Sequence, residues 1–217
     1  MRSRLSVASV ALVLSLAAAS SSCTPQGDPL ISGAPFVETF DRPDLGRAWS
    51  NTGGNWRIVD GKLRIQGARN HPLWLRRRLP RDVRIEFTAR SDSPAGDIKV
   101  EVFGDGVSSA TAASYTATSY VVIFGGWNNS LDVLARLDEH GEDRIARPSR
   151  RVVPGQTYRF EIERRGGHIT VKVDGTLLVE MHDREPLSGR GHDHFGFNDW
   201  DAALTFDDLR ITPLSAM

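Results

Sequence analysis

The 217-residue chain contains one cysteine, Cys23, so no disulfide can form within it and its stability must come from packing. Acidic and basic residues balance at 27 each, leaving no bulk field to gather nucleic acid or an anionic bilayer. Long apolar runs are scarce. The one at residues 5–19 is shorter than the about 20 residues of a comfortable membrane span, and no second run is long enough to cross a bilayer. Helical periodicity is almost missing: only residues 107–118 could hold a short helix, and their Ser and Thr content favours a loop. There is no internal repeat, and no Ser-His-Asp, phosphate-loop or dinucleotide signature.

The N-terminus reads as an export signal. Arg2 and Arg4 precede the apolar run, and Ser20, Ser21 and Ser22 lead into Cys23. A lone thiol in an exported chain calls for a use, and lipidation would supply one. The segment resembles a bacterial lipoprotein signal, with Ser20 standing where Leu is preferred. Thr24 after the cysteine, in place of Asp, implies by the same resemblance sorting to the outer membrane. Cleavage near residues 17–19, leaving a free Cys23, is the alternative. The expected layout is a signal at 1–22, a Pro- and Gly-rich tether at 23–34 and one domain at 35–214. Membrane contact would run through the lipid anchor only, and no nucleic-acid partner is expected.

What fills the domain is alternation at period two. Val83, Ile85, Phe87 and Ala89 alternate with polar residues; so do Ile98, Val100 and Val102, then Tyr158, Phe160 and Ile162, then Ile169, Val171 and Val173. Each run predicts a strand with one face in a core and the other in water. Turn dipeptides at Asp60 and Gly61 and at Asp174 and Gly175 punctuate them, and the second predicts a hairpin over 168–181. Leu204 and Phe206 are out of phase with Leu209 and Ile211, which predicts a bulge at Asp207 and Asp208. Many antiparallel strands without crossover helices predict an all-β, two-sheet sandwich of the jelly-roll kind.

Several stretches carry a resemblance. "FVETFDRPDLGRAWSNTGGNWRIVDGKLRI", "VRIEFTAR", "YRFEIERRGGHITVKVDGTLLVE" and "HFGFNDWDAALTFDDLRITPL" resemble the concanavalin A-like lectin and glucanase domains. Within these they are most similar to extracellular domains of the 3-keto-disaccharide hydrolase or laminin-G-like type. The resemblance implies two stacked sheets and a face that often binds saccharide. The acidic strand motif of retaining glycanases of this fold is missing. Glu161 and Glu163 alternate, but Arg159, Arg164 and Arg165 surround them, as on a charge-balanced strand face.

The candidate site begins at "IFGGWNNS". A tryptophan in a Gly/Asn turn is either a lid folded over the sheet edge or a platform for a ligand. Trp127 offers a flat apolar face, and Asn128 and Asn129 offer amides, the two chemistries a sugar ring needs. Trp200, flanked by Asn198, Asp199 and Asp201, repeats the combination, so an oligo- or polysaccharide partner is expected at Trp127, Asn128, Asn129, Asn198, Asp199 and Trp200. Trp49, Trp56 and Trp74 read as core packing. The expected role is non-catalytic binding. An enzyme acting on sugars would draw on His182, His192, Asp193 and His194, which also form a potential metal half-site. An interaction lipoprotein with no small ligand is the third reading. If the first and last strands pair, Glu38, Asp41, Asp207 and Asp208 would suit a structural calcium ion, the one cofactor suggested. Arg76, Arg77 and Arg78, with Arg69, Arg81 and Arg84 nearby, could instead form a patch for acidic polysaccharide.

Overall fold

The alternating runs become strands of two antiparallel sheets in a computed structural model that describes residues 27–110 and 115–215. The segment expected to be an export signal, with Cys23, lies outside the described residues. The first sheet contains β1 (Phe36–Glu38), β3 (Arg57–Val59), β4 (Lys62–Ile65), β6 (Val83–Ser91), β11 (Thr157–Arg165), β12 (His168–Val173), β13 (Thr176–His182) and β15 (Leu204–Pro213). Its order is β13-β12-β11-β6-β15-β4-β3, with β1 also paired to β15. The second contains β2 (Trp49–Asn51), β5 (Leu73–Leu75), β7 (Ile98–Gly104), β8 (Tyr120–Gly125), β9 (Leu131–Arg136), β10 (Ile145–Pro148) and β14 (His194–Asn198). Its order is β10-β9-β8-β7-β14-β5-β2.

Between the sheets lies one apolar core. Phe87, Phe160 and Phe206 from the first sheet meet Phe124, Phe195 and Phe197 from the second, with Phe197 and Phe206 ring centroids 4.4 Å apart. The expected hairpin is β12 to β13, and the expected bulge falls between Asp207 and Arg210, where Asp208 takes a φ of 52°. Trp49 and Trp56 join the core. Trp74 is buried too, but on the outer face of the second sheet. It lies flat on Gly104 and Gly196, where any side chain would collide with the indole, and donates to the Ser108 carbonyl at 2.9 Å.

Two expectations about the ends change. The tether stops short of residue 34: Leu30 bridges Arg78, Ile31 donates its amide to the Arg78 carbonyl at 2.9 Å, and its side chain is only 5% exposed. An isoleucine beside an apolar core gains more from burial than from staying on a solvated linker. The calcium site is also not assembled, although β1 and β15 do pair. Glu38 is held by Arg42, by the Trp49 indole at 3.0 Å and by the Phe40 amide at 2.9 Å. Burial raises the Glu38 carboxyl, but these hydrogen bonds outweigh it and hold it below the usual range. Asp207 is ion-paired to Lys62, whose charge also faces Asp41 and Asp208. An ammonium thus stands where a cation would be needed, and among the described residues no group of three or more acids, histidines or cysteines is arranged for a metal.

Most of the arginine patch is paired internally: Arg69 with Asp201, Arg76 with Asp28, Arg78 with Asp193 and Arg84 with Glu163.

Candidate saccharide site

The outer face of the first sheet follows the simple alternation, but that of the second does not. Every residue of β7, β8 and β14 is buried. Lys99 and Glu101 occupy the phase expected to meet water, yet are 2% and 0% exposed. Loops fold over this face, and between them lies a cavity of about 480 Å³ lined by Asn70, Asp97, Lys99, Tyr115, Ile123, Trp127, Asn128, Glu139, His140, Trp200 and Asp201, with smaller residues between.

Trp127 sits in a one-turn element, α1 (Gly126–Asn129), which leaves β8 through a left-handed Gly125. Trp127, Asn128 and Asn129 all have positive φ, at 49°, 57° and 62°. Asn tolerates this conformation, but a bulky tryptophan does so at a cost. Surrounding contacts hold it there: Asp132 accepts the Gly125 amide at 3.0 Å, and Ser130 donates its hydroxyl to the Trp127 carbonyl at 2.6 Å. Asn129 is consumed by this framework. It accepts the Val152 amide at 2.7 Å and donates to the Val152 and Pro94 carbonyls. Trp127 is therefore a lid, and it also faces open space. It covers a small apolar patch of Val121, Ile123, Val133 and Ala135, and it walls the cavity.

Trp200, 39% exposed, comes from the loop after β14, yet borders the same cavity. That loop is tied to residues 67–70. Arg69 donates its amide to the Trp200 carbonyl at 3.0 Å, and Asn70 donates to the Asp199 carbonyl at 2.9 Å. Each indole is backed by a guanidinium, Arg69 at 4.8 Å from the Trp200 ring and Arg144 at 5.1 Å from that of Trp127.

Two of the expected polar contacts lie behind the cavity wall. Asn198 donates to Glu101 at 2.6 Å, and Asp199 accepts the Ala68 and Ala202 amides, each at 2.9 Å. Burial pushes the Asp199 carboxyl up to about 6, the nearby Asp97 charge adding to it. Asn128 alone of the expected amides borders the cavity.

Sequence reasoning missed the floor. Lys99 is ion-paired with Glu139 at 2.7 Å and donates to Asn70 at 3.0 Å. Beneath it Glu101 accepts from Ser119 at 2.6 Å and from the Tyr115 hydroxyl at 3.1 Å. Burial pushes Glu101 up to about 7 against those donors and the Lys99 charge. Asp97, at the lip of β7, is also raised by burial, with Lys99 opposing and Glu139 adding.

The histidines expected for catalysis or metal do not come together. His182 is exposed on edge strand β13, beside His168. His192 lies ahead of β14, bonded to the Thr118 carbonyl, and the register breaks after His194. Asp193 and His194 do meet, the Asp193 carboxylate 2.9 Å from His194 Nδ1, with Asp28 3.3 Å from the other ring nitrogen, but away from His182 and from the cavity lining. Strand alternation fails as a guide here because the "HDH" stretch is not all strand. The histidine that does border the cavity is His140, its ring 5.5 Å from that of Trp127.

Two antiparallel sheets around one core, with loops enclosing a cavity on one outer face, define a concanavalin A-like β-sandwich. The chain belongs to the family described as 3-keto-alpha-glucoside-1,2-lyase-like domain, whose model matches residues 35–212. A search of curated proteins finds no match. Solved structures share the fold at low identity. The carbohydrate-binding module CBM66 from Bacillus subtilis is similar at 15% identity and a TM-score of 0.57, over 76% of this chain and 96% of that one. A prokaryotic β-1,3-1,4-glucanase (lichenase) from a mouse hindgut metagenome is similar at 12% identity and a TM-score of 0.60, over 84% and 100%. A glycosyl hydrolase assigned in Parabacteroides distasonis is similar at 14% identity and a TM-score of 0.52, over 81% and 92%.

Proposed function

We propose that this chain binds saccharide in the cavity between Trp127 and Trp200. The observation that carries the reading is that two tryptophans from separate loops border one cavity with a polar floor. Indole faces take the C–H side of a sugar ring, and Asn70, Asn128, Asp97 and the Tyr115 hydroxyl can serve its hydroxyls. The volume suits a ligand of one or two rings. Stacking gains are small, so the affinity belongs in the micromolar to millimolar range. The domain works outside the cytoplasm, held to the envelope by lipid at Cys23; the basic, apolar and Ser-Cys order of residues 2–23 supports this.

The test is a saccharide panel screened against the full chain, with Trp127→Ala and Trp200→Ala beside it. Each folded variant is expected to lose at least about tenfold in affinity, or about 1.4 kcal/mol. Binding that survives both substitutions would place the ligand elsewhere.

A catalytic reading has one observation in its favour. Asp97 is a carboxyl raised by burial that borders the cavity, as a base acting on a bound sugar would be, and the family is described as lyase-like. New products in the same panel, absent with Asp97→Asn, would establish it; unchanged saccharides would leave binding alone.

A further inference from the structure

One carboxylate of the cavity is left without an ion pair. Glu139 is matched by Lys99 at 2.7 Å and Asp201 by Arg69 at 3.1 Å. Asp97 has neither an ion pair nor a side-chain hydrogen bond among the described residues. The one lysine of the floor is already committed to Glu139 and Asn70. A ligand entering the cavity therefore meets an unmatched carboxylate and finds no uncommitted cation on the floor.

Asp97 is fixed in place. Its amide donates to the Gly125 carbonyl at 2.9 Å, and its φ is 61°. Gly96 before it, at a φ of 72°, cannot carry a side chain, since a Cβ would lie 2.7 Å from the Gly125 carbonyl oxygen. Its carboxylate lies beside Gly126, next to the turn that carries Trp127: a Cβ on Gly126 would be 3.5 Å from Asp97 Oδ1. Asp tolerates this left-handed conformation, and it leaves an unmatched charge fixed at the cavity lip. The two indoles already carry the Arg69 and Arg144 guanidinium groups, so the counter-charge for a cation is Asp97: in a partly desolvated cavity a carboxylate favours an ammonium and repels a second carboxylate far more than in water.

We propose that the cavity selects saccharides bearing a protonated amine over neutral ones and discriminates against uronates, with Asp97 as the counter-charge. This rests on the saccharide reading and names the class within it. The experiment is calorimetric titration of the full chain at about pH 6.5, where a sugar amine is largely protonated. The probes are a glucosamine disaccharide, its N-acetylated counterpart and a galacturonate disaccharide. The glucosamine form is expected to bind about tenfold tighter than the acetylated one, with the uronate weakest. Asp97→Asn should bring the first two to within about twofold of each other, and added salt should narrow the gap in the wild type. Equal binding of all three, preference for the uronate, or a preference that survives Asp97→Asn would overturn the selectivity while leaving the saccharide site standing. Failure of every probe to bind would sink both.

Discussion

Glu101 shows how far a single residue departs from its reading in the sequence. In "IKVEVF" it looks like one more polar member of an alternating strand, and nothing local distinguishes it from Glu161 in "FEIE". The difference is made by loops distant in sequence, which cover β7 and leave β11 half open. The covering has a titration consequence. An acid raised from 4.5 to about 7 on folding keeps its proton where the unfolded chain has released it, so it favours the folded state at low pH and this contribution is lost as pH rises from about 4.5 to about 7. Glu101→Gln should flatten that part of the stability profile; denaturant midpoints taken across the window would show it, and parallel profiles for the two proteins would refute it. Asp199, raised from 3.8 to about 6, acts in the same direction over a lower window. At this scale the two indoles and Asn128 were legible, because a tryptophan in a turn is unusual in itself. Asp97, Lys99 and Glu139 were not, because charged residues next to apolar ones are what any half-exposed strand shows.

At the scale of elements, alternation and turn residues were sufficient for the strands, the β12 to β13 hairpin and the bulge at Asp208. What they could not supply was which sheet face would be covered, since that depends on where the long connections fold. The turn α1 is the element on which the site depends. Its three left-handed residues are held through Asn129, which reaches both Val152 and Pro94. Asn129→Ala would leave the Val152 amide and carbonyl unpaired in a buried setting, at a cost of about 2 to 4 kcal/mol. It should release Trp127 as well. A lower unfolding midpoint together with a weakened saccharide titration is expected; a stable variant with unaltered binding would mean α1 holds its shape alone. The arginines behind the indoles act at the same scale. Arg144→Ala should loosen Trp127, with a modest loss of affinity of about threefold, since a cation–π contact is worth about 0.5–1 kcal/mol at an exposed site. Indole fluorescence anisotropy would follow the change.

At the scale of the whole molecule, one apolar core runs between both sheets, so unfolding should be a single cooperative transition. The strap at residues 28–31 belongs to that unit. Ile31→Ala removes a buried side chain and should cost about 2 to 4 kcal/mol, lowering the thermal midpoint by several degrees. An unchanged midpoint would return Ile31 to the linker. The sandwich class was readable from pattern and resemblance. The strap was not, because residues rich in Pro and Gly carry no period, and its partner Arg78 lies outside any strand the pattern marks.

The strap also shortens the leash. Counted to residue 34, a chain leaving an anchored Cys23 would have eleven peptide steps; counted to Asp28, which already contacts the domain through Arg76 and Arg78, it would have five. At about 3.5 Å per step the reach would be roughly 17 Å, and the volume an anchored domain could sweep above a bilayer would be roughly tenfold smaller. If Cys23 carries lipid as proposed, a domain on so short a leash would forage within its own thickness of the bilayer.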